Sequence, residues 1–307
     1  MTNLMLLAFM QLVVSTKAGL VNDVRGTANV AQMEMAQPGA PITTGPASYA
    51  EILLTPGSFL RLSENGEAVL ESVELANVAV RIVKGPAVVE VIEIDKKSPI
   101  RVTTGNLTVA IVANGIYRFE NGVAAVLEGK LETADSKFAY KKGWEVFYKD
   151  AYRARKTGLR APASLDVYSA RRSAEIARIN YELAWQANPA SWTYADAWAF
   201  APSFGFFTYI PRSNQRSPYG YAYYRMGGVS HSGFSYYGSR SNPAADASNS
   251  GGYSAPSNSG AATSSNAAGD SGAGAAAAPT FATPTGGRAP AVDYIGSKNA
   301  PVPATAP

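Results

Sequence analysis

Between Leu20 and Tyr148 apolar and polar positions alternate with a period of two, the spacing at which side chains of an extended strand share a face. Ala50, Ile52 and Leu54 fall together, as do Leu60 with Leu62, Val78 with Val80 and Ile82, and Tyr117 with Phe119. Ala87 to Ile94 is apolar on both faces, which predicts a strand covered on both sides. Turn signals punctuate the run at Pro56-Gly57, Asn65-Gly66, Gly85-Pro86, Asn114-Gly115 and Asn121-Gly122. The pattern predicts a mainly β domain, either a compact β-sandwich or a solenoid-like fold.

Short phrases recur inside this region. Gly26-Thr27-Ala28-Asn29-Val30 parallels Gly85-Pro86-Ala87-Val88-Val89, Thr43-Thr44-Gly45 parallels Thr103-Thr104-Gly105, and Gly57-Ser58-Phe59-Leu60-Arg61 parallels Gly115-Ile116-Tyr117-Arg118. Order and spacing are kept, so an internal duplication of two β units of about sixty residues is expected.

The period then changes. Leu165, Tyr168, Ile176, Ile179 and Leu183 recur at helical spacing and predict one long helix over 163–187 whose apolar stripe lies on the β domain. Pro162 precedes it, Ser164 is its expected cap, Asp166 suits its first turn, and Asn188-Pro189 ends it. An aromatic segment broken by Pro and Gly follows, and then a Ser/Ala/Gly/Pro-rich tail. From Ser241 onward that tail lacks the apolar residues to build a core and is expected to be disordered.

The N-terminus reads as an export signal. Leu4 to Val14 is apolar apart from Gln11, and small residues at Thr16 and Ala18 suit cleavage after Ala18. The run is shorter than the ~17–25 residues of a membrane span. The expected division is 1–18 signal peptide, 19–150 all-β domain, 151–187 basic linker and helix, 188–237 aromatic segment and 238–307 disordered tail, with the protein periplasmic or extracellular.

The stretch Ala47-Ser48-Tyr49-Ala50-Glu51-Ile52-Leu53-Leu54-Thr55-Pro56-Gly57-Ser58-Phe59-Leu60-Arg61-Leu62-Ser63-Glu64-Asn65 resembles the FecR domain, in which a strand, a turn and a Gly-x-x-Leu-Arg-Leu strand follow one another. Val24-Arg25-Gly26-Thr27-Ala28-Asn29-Val30 is similar to the family's opening strand. Arg81-Ile82-Val83-Lys84-Gly85-Pro86-Ala87 is similar to its second glycine turn. The resemblance spans about Leu20 to Leu131. Family members are best known as membrane-spanning regulators that relay an outer-membrane signal to a cytoplasmic sigma factor. That role needs a cytoplasmic helical segment and a span before the β domain. The expectation here is instead a free-standing exported member, acting as a non-enzymatic scaffold or interaction module of the cell envelope.

Composition removes much chemistry. There is no cysteine, so thiolate metal sites, disulfides and cysteine nucleophiles are excluded. The single histidine, His231, excludes multi-histidine metal centres and reads as a solvated side chain. Glu90 and Glu93 should point to opposite faces of a strand, and Glu67, Glu71 and Glu74 flank turns. No nucleophile-elbow or phosphate-loop pattern occurs. No catalytic residue, metal or cofactor is expected, although a carboxylate-dependent enzyme acting on polysaccharide stands as a third reading.

Binding is the better expectation. Between Lys137 and Arg178 eleven Lys and Arg face four Asp and Glu. Such a stripe suits anionic polymers or lipid head groups, or serves as a hydrated linker and helix face. Seventeen of the 32 aromatic residues lie between Tyr181 and Tyr237. Those before Pro211 are expected to close the core, and Tyr219 to Tyr237 to form an adhesive surface. Candidate binding residues are Arg61, Arg171, Arg172, Arg178, Tyr219, Tyr221, Tyr223 and Tyr224. Of these, Arg61 is expected on an outward strand face as a solvated charge. The expected partner is an envelope protein or, in the second reading, peptidoglycan or another anionic glycan, rather than nucleic acid. No stable membrane span is expected.

Overall fold

The alternating segments fold as short antiparallel strands because each has one face of Val, Ile, Leu or aromatic side chains to bury and glycine-bearing turns to reverse at. The computed structural model describes residues 12–13, 17–158, 163–187 and 195–229. Strands β1 (Leu12–Val13), β2 (Val21–Arg25), β3 (Pro41–Thr43), β4 (Tyr49–Leu53), β5 (Ser58–Leu62) and β6 (Glu67–Ser72) come first. They are followed by β7 (Ala79–Lys84), β8 (Ala87–Val91), β9 (Ile100–Thr104), β10 (Leu107–Ile111), β11 (Gly115–Glu120) and β12 (Val123–Glu128). Next are β13 (Lys130–Thr133), β14 (Ala139–Lys141), β15 (Trp144–Tyr148) and β16 (Tyr152–Lys156). Helix α1 (Ser164–Gln186) precedes β17 (Ala197–Ala201), β18 (Phe206–Ile210), β19 (Gln215–Arg216) and β20 (Ala222–Tyr223).

These strands build a sandwich. One sheet has seven strands in the order β14-β13-β10-β9-β7-β6-β3, the other eight in the order β16-β15-β12-β11-β8-β5-β4-β2. The β7–β9 pair is parallel and the other ladders are antiparallel. Between the sheets lies a hydrocarbon core including Leu60, Leu62, Val89, Val102, Val109, Tyr117, Phe119 and Val126. β16 extends the larger sheet into the stretch expected to be linker.

The expected duplication is met only in part. β5 and β11 flank β8 in matching register, so that Leu60 and Tyr117 both oppose Val89, and Arg61 and Arg118 both oppose Val88. At the repeat spacing, however, β4 and β10 belong to different sheets, and so do β6 and β12. The matching phrases mark similar strand–turn units, set into different strand orders.

A second core covers the other face of the larger sheet. Leu53, Phe59 and Ile92 from that sheet pack with Ile176, Ile179 and Leu183 of α1 and with Trp198, Phe206, Phe207 and Ile210 of the β17–β18 hairpin. This cover makes β8 fully buried, as its doubly apolar pattern predicts. The helix stripe packs as expected, with Tyr168 stacked on Tyr49 at 4.5 Å between ring centroids. Ser164 is not the cap. Ala163 takes that position, and the Asp166 carboxylate reaches back to accept from the Ala163 N–H at 2.9 Å.

The apolar run Leu4 to Val14 apart from Leu12–Val13, Pro162, Asn188-Pro189, His231 and the tail from Ser241 lie outside the described residues. Leu12–Val13 pairs with β17, and Ala18 is buried and donates to Val73 O at 2.7 Å. Among the described residues no helix is long and apolar enough to cross a membrane.

Candidate functional site

The most concentrated polar chemistry lies between the larger sheet and α1. Glu51 on β4, Arg61 on β5 and Glu90 on β8 occupy neighbouring strands, on the face opposite Leu60 and Leu62. Arg172 and Ser173 descend on them from α1. Arg61 donates from Nε to Glu51 at 2.8 Å and from Nη1 to Glu90 at 2.7 Å. Arg172 donates from Nε to Glu51 at 3.0 Å and from Nη1 to Glu175 at 2.8 Å. Asn22 adds a bond to Glu51 at 2.8 Å, and the Ser173 hydroxyl donates to Glu90 at 2.7 Å.

Arg61, Glu51 and Glu90 are 0% exposed and Arg172 is 1% exposed. The expectation that Arg61 is a solvated outward charge is therefore corrected. Its face is outward with respect to the sandwich core, but α1 and the β17–β18 hairpin cover that face. The Arg172 guanidinium lies over the Phe206 ring at 3.9 Å, and that of Arg61 lies 5.2 Å from the Phe59 centroid.

The two carboxylates respond differently to burial. Desolvation pushes both upward, but Glu51 accepts three hydrogen bonds, two of them from guanidinium groups. Arg172 and Arg61 therefore hold it below the usual carboxylate range. Glu90 has one cation and one hydroxyl, so desolvation wins and its pKa is raised. Burial alone would lower the Arg61 pKa, yet Glu90 and Glu51 outweigh it and the guanidinium stays charged.

Two asparagines stitch the remaining backbone to this layer. Asn22 donates to Phe207 O at 3.1 Å and accepts from Phe207 N at 2.7 Å. Asn180 on α1 donates to Tyr209 O and Tyr224 O, each at 2.9 Å, and accepts from Tyr224 N at 2.7 Å. These bonds fix the start of the tyrosine tract. Tyr223 is fully buried in the second core, while Tyr219, Tyr221 and Tyr224 are half-buried. The adhesive reading is corrected for Tyr223, which lies inside the fold; Tyr219 and Tyr221 pack at the edge of its hydrophobic clusters with part of their surface open. Trp198, Phe206 and Phe207 are buried as the sequence predicts.

The basic stripe is neutralised only in part. Lys142 pairs with Glu128, Arg155 with Glu145 and Arg178 with Glu182, while Lys156 sits 4.2 Å above the Trp144 ring. Arg171 and Arg178 are exposed on α1, and Lys149 and Arg153 are exposed beside the β15–β16 turn. An open cleft of 680 Å³ lies where α1 does not cover the sheet, floored by Val123, Ala125 and Leu127. Arg118 on β11 bonds Asp166 at 2.7 Å along its rim, tying the start of α1 to the sheet. Among the described residues no group of three or more His, Cys, Asp or Glu is placed to hold a metal.

Residues 40–132 match the family model described as FecR protein, so the chain contains a FecR domain. Two crystal structures of a candidate anti-sigma factor from Parabacteroides distasonis ATCC 8503 are similar to it, each with a TM-score of 0.33 and 14% identity. The alignments cover 44% and 47% of this chain, and 65% and 72% of those chains. This chain thus spans just under two thirds of the first relative's length. No curated protein matches significantly. The matched segment supplies Glu51, Arg61 and Glu90, while Asn22 and Arg172 lie outside it.

Proposed function

We propose that this protein is an exported, non-enzymatic interaction module of the cell envelope, with the FecR domain as a scaffold that the C-terminal helix and hairpin complete. The observation that carries this reading is the closed ionic layer. Glu51 and Glu90, the carboxylates buried against α1, are engaged by Arg61, Arg172, Asn22 and Ser173 and have no exposed surface. A hydrolytic carboxylate pair must reach a substrate and a water; this pair holds a helix to a sheet. The apolar run at Leu4 to Val14 supports export. The open cleft and the unpaired cations beside it leave the far end of the sheet free for a partner.

The test is fractionation of cells producing the tagged full chain, followed by cross-linking in the envelope fraction. The reading expects a processed N-terminus, recovery outside the cytoplasm and a cross-linked partner or insoluble glycan. An unprocessed chain confined to the cytoplasm would overturn it. The second reading, a binder of anionic glycan, is favoured by the free cations of the β15–β16 region.

A further inference from the structure

Three hairpin turns meet at one end of the sandwich: Gly105-Asn106 between β9 and β10, Asn121-Gly122 between β11 and β12, and Lys149 to Ala151 between β15 and β16. Asn121 and Gly122 both have positive φ, +51° and +76°, the conformation of a tight Asn-Gly hairpin. A Cβ on Gly105 would stand 3.2 Å from Gly122 Cα, so the first two turns touch. Gly122 N donates to Thr104 Oγ1 at 3.2 Å, and this bond links the two sheets.

The turns enclose an open cup of 470 Å³, lined among others by Asn106, Asn121, Phe147, Tyr148, Lys149 and Arg155. That volume falls in the ~300–1,000 Å³ range of ligand sites. Asn106 and Asn121 are exposed, and their side-chain amides make no hydrogen bond among the described residues. Arg155 lies over Phe147 at 5.6 Å and is paired with Glu145. Lys149 and Arg153, the latter directly across the strands from Phe147, are exposed and have no ion pair among the described residues. Asp150 is the exposed acid in the same turn. Tyr148 is 40% exposed and packs edge-on to Tyr152 at 5.2 Å.

We propose that this cup binds an acidic glycan. Free side-chain amides suit hydroxyl groups, an open tyrosine ring suits the face of a sugar, and two unpaired cations suit a carboxylate or phosphate substituent. Lys149 in the lining holds the anion, with Arg153 outside the lining on the adjoining ladder across from Phe147; Asn106 and Asn121 take the hydroxyls, and Tyr148 the ring. This inference rests on the binding-module reading and names its ligand.

Titration calorimetry on the full chain tests it, with an oligogalacturonate, a phosphorylated manno-oligosaccharide and a neutral malto-oligosaccharide as probes. One of the two acidic oligomers should bind and the neutral one should not; which of the two binds identifies the anionic group. Lys149→Gln with Arg153→Gln, and separately Asn106→Ala with Tyr148→Ala, should each weaken binding by about tenfold or more, with Tm little changed. The proposal is overturned if neither oligomer binds, or if binding survives in both double variants. It is equally overturned if polyglutamate, which carries the charge without the sugar, binds as well as the glycan. A failed titration with an envelope partner still recovered would sink only the glycan. Cytoplasmic retention would sink the module reading and leave the titration standing.

Discussion

One face of the eight-stranded sheet is packed by hydrocarbon alone, and the other by hydrocarbon set around a buried ionic layer. Toward the seven-stranded sheet, Leu60, Leu62 and Val89 meet Val102 and Val109 with no polar partner to find. Toward α1, Arg61 between those same leucines must find Glu51 and Glu90, and Arg172 must arrive from the helix. Hydrocarbon packing is tolerant, since volume-conserving swaps cost little. A buried ion pair gives little net stability but makes errors costly, because removing one member strands the other. The sandwich therefore supplies much of the hydrophobic burial, and the ionic layer fixes where α1 and its hairpin dock.

Ending the chain at residue 158 should have the largest effect. It would expose Leu53, Phe59 and Ile92 together with the buried carboxylates, and the remaining sheets should lose cooperative unfolding, read by circular dichroism and calorimetry. If residues 17–158 melted as sharply as the whole chain, the second layer would be an appendage. Next, Arg61→Met should cost about 3–5 kcal/mol, because it leaves Glu90 without its cation. Replacing Arg61, Arg172, Glu51 and Glu90 together by Met, Met, Leu and Leu should cost much less, because no buried charge of the layer is stranded, and urea unfolding distinguishes the two cases. Ile179→Ala should cost about 2–5 kcal/mol, as for other large-to-small core changes, and Leu60→Ala in the sandwich should fall in the same range.

The sandwich was readable because a period of two reports burial directly. The helix stripe was readable for the same reason at a period of 3.6. Arg61 was not, since a charge alternating with leucines on a strand ordinarily faces water. The correcting signal lies in β8: Glu90 interrupts a run apolar on both faces, and a charge there requires a partner. Arg61 was one candidate, but Arg172 stands 121 positions from Glu51, and no local pattern joins them. Tyr223 was misread because the grip on its neighbouring backbone comes from Asn180, an ordinary polar residue of the helix.

A smaller effect separates the two faces by pH. Glu51 has a folded pKa below its unfolded value, so its contribution is present above the unfolded carboxylate pKa and is lost as pH falls through the folded one. Glu90 has a raised folded pKa, so its contribution is present below the unfolded value and is lost as pH rises through the folded one. Glu51→Gln should therefore flatten the acid side of the stability profile, and Glu90→Gln the side toward neutrality. Urea midpoints measured from acid to neutral pH check both, and Leu60→Ala should shift the whole curve without changing its shape. The smallest change is expected for Arg171→Ala, within about 0.5 kcal/mol, since that side chain is exposed on the helix.

The reach of Asn22 has a consequence for how the chain is made. Its side chain clasps the backbone of Phe207, 185 positions later, so the first strand of the larger sheet waits for one of the last. A polypeptide emerging N-terminus first carries Asn22, Glu51, Arg61 and Glu90 uncovered until α1 and β18 have followed. During that interval the nascent chain also presents Leu53, Phe59 and Ile92 to water, an apolar face of the kind that chaperones shield and proteases find. Such high sequence separation also slows closure. A premature stop before β18 should consequently yield little protein, lost to turnover before any question of binding arises.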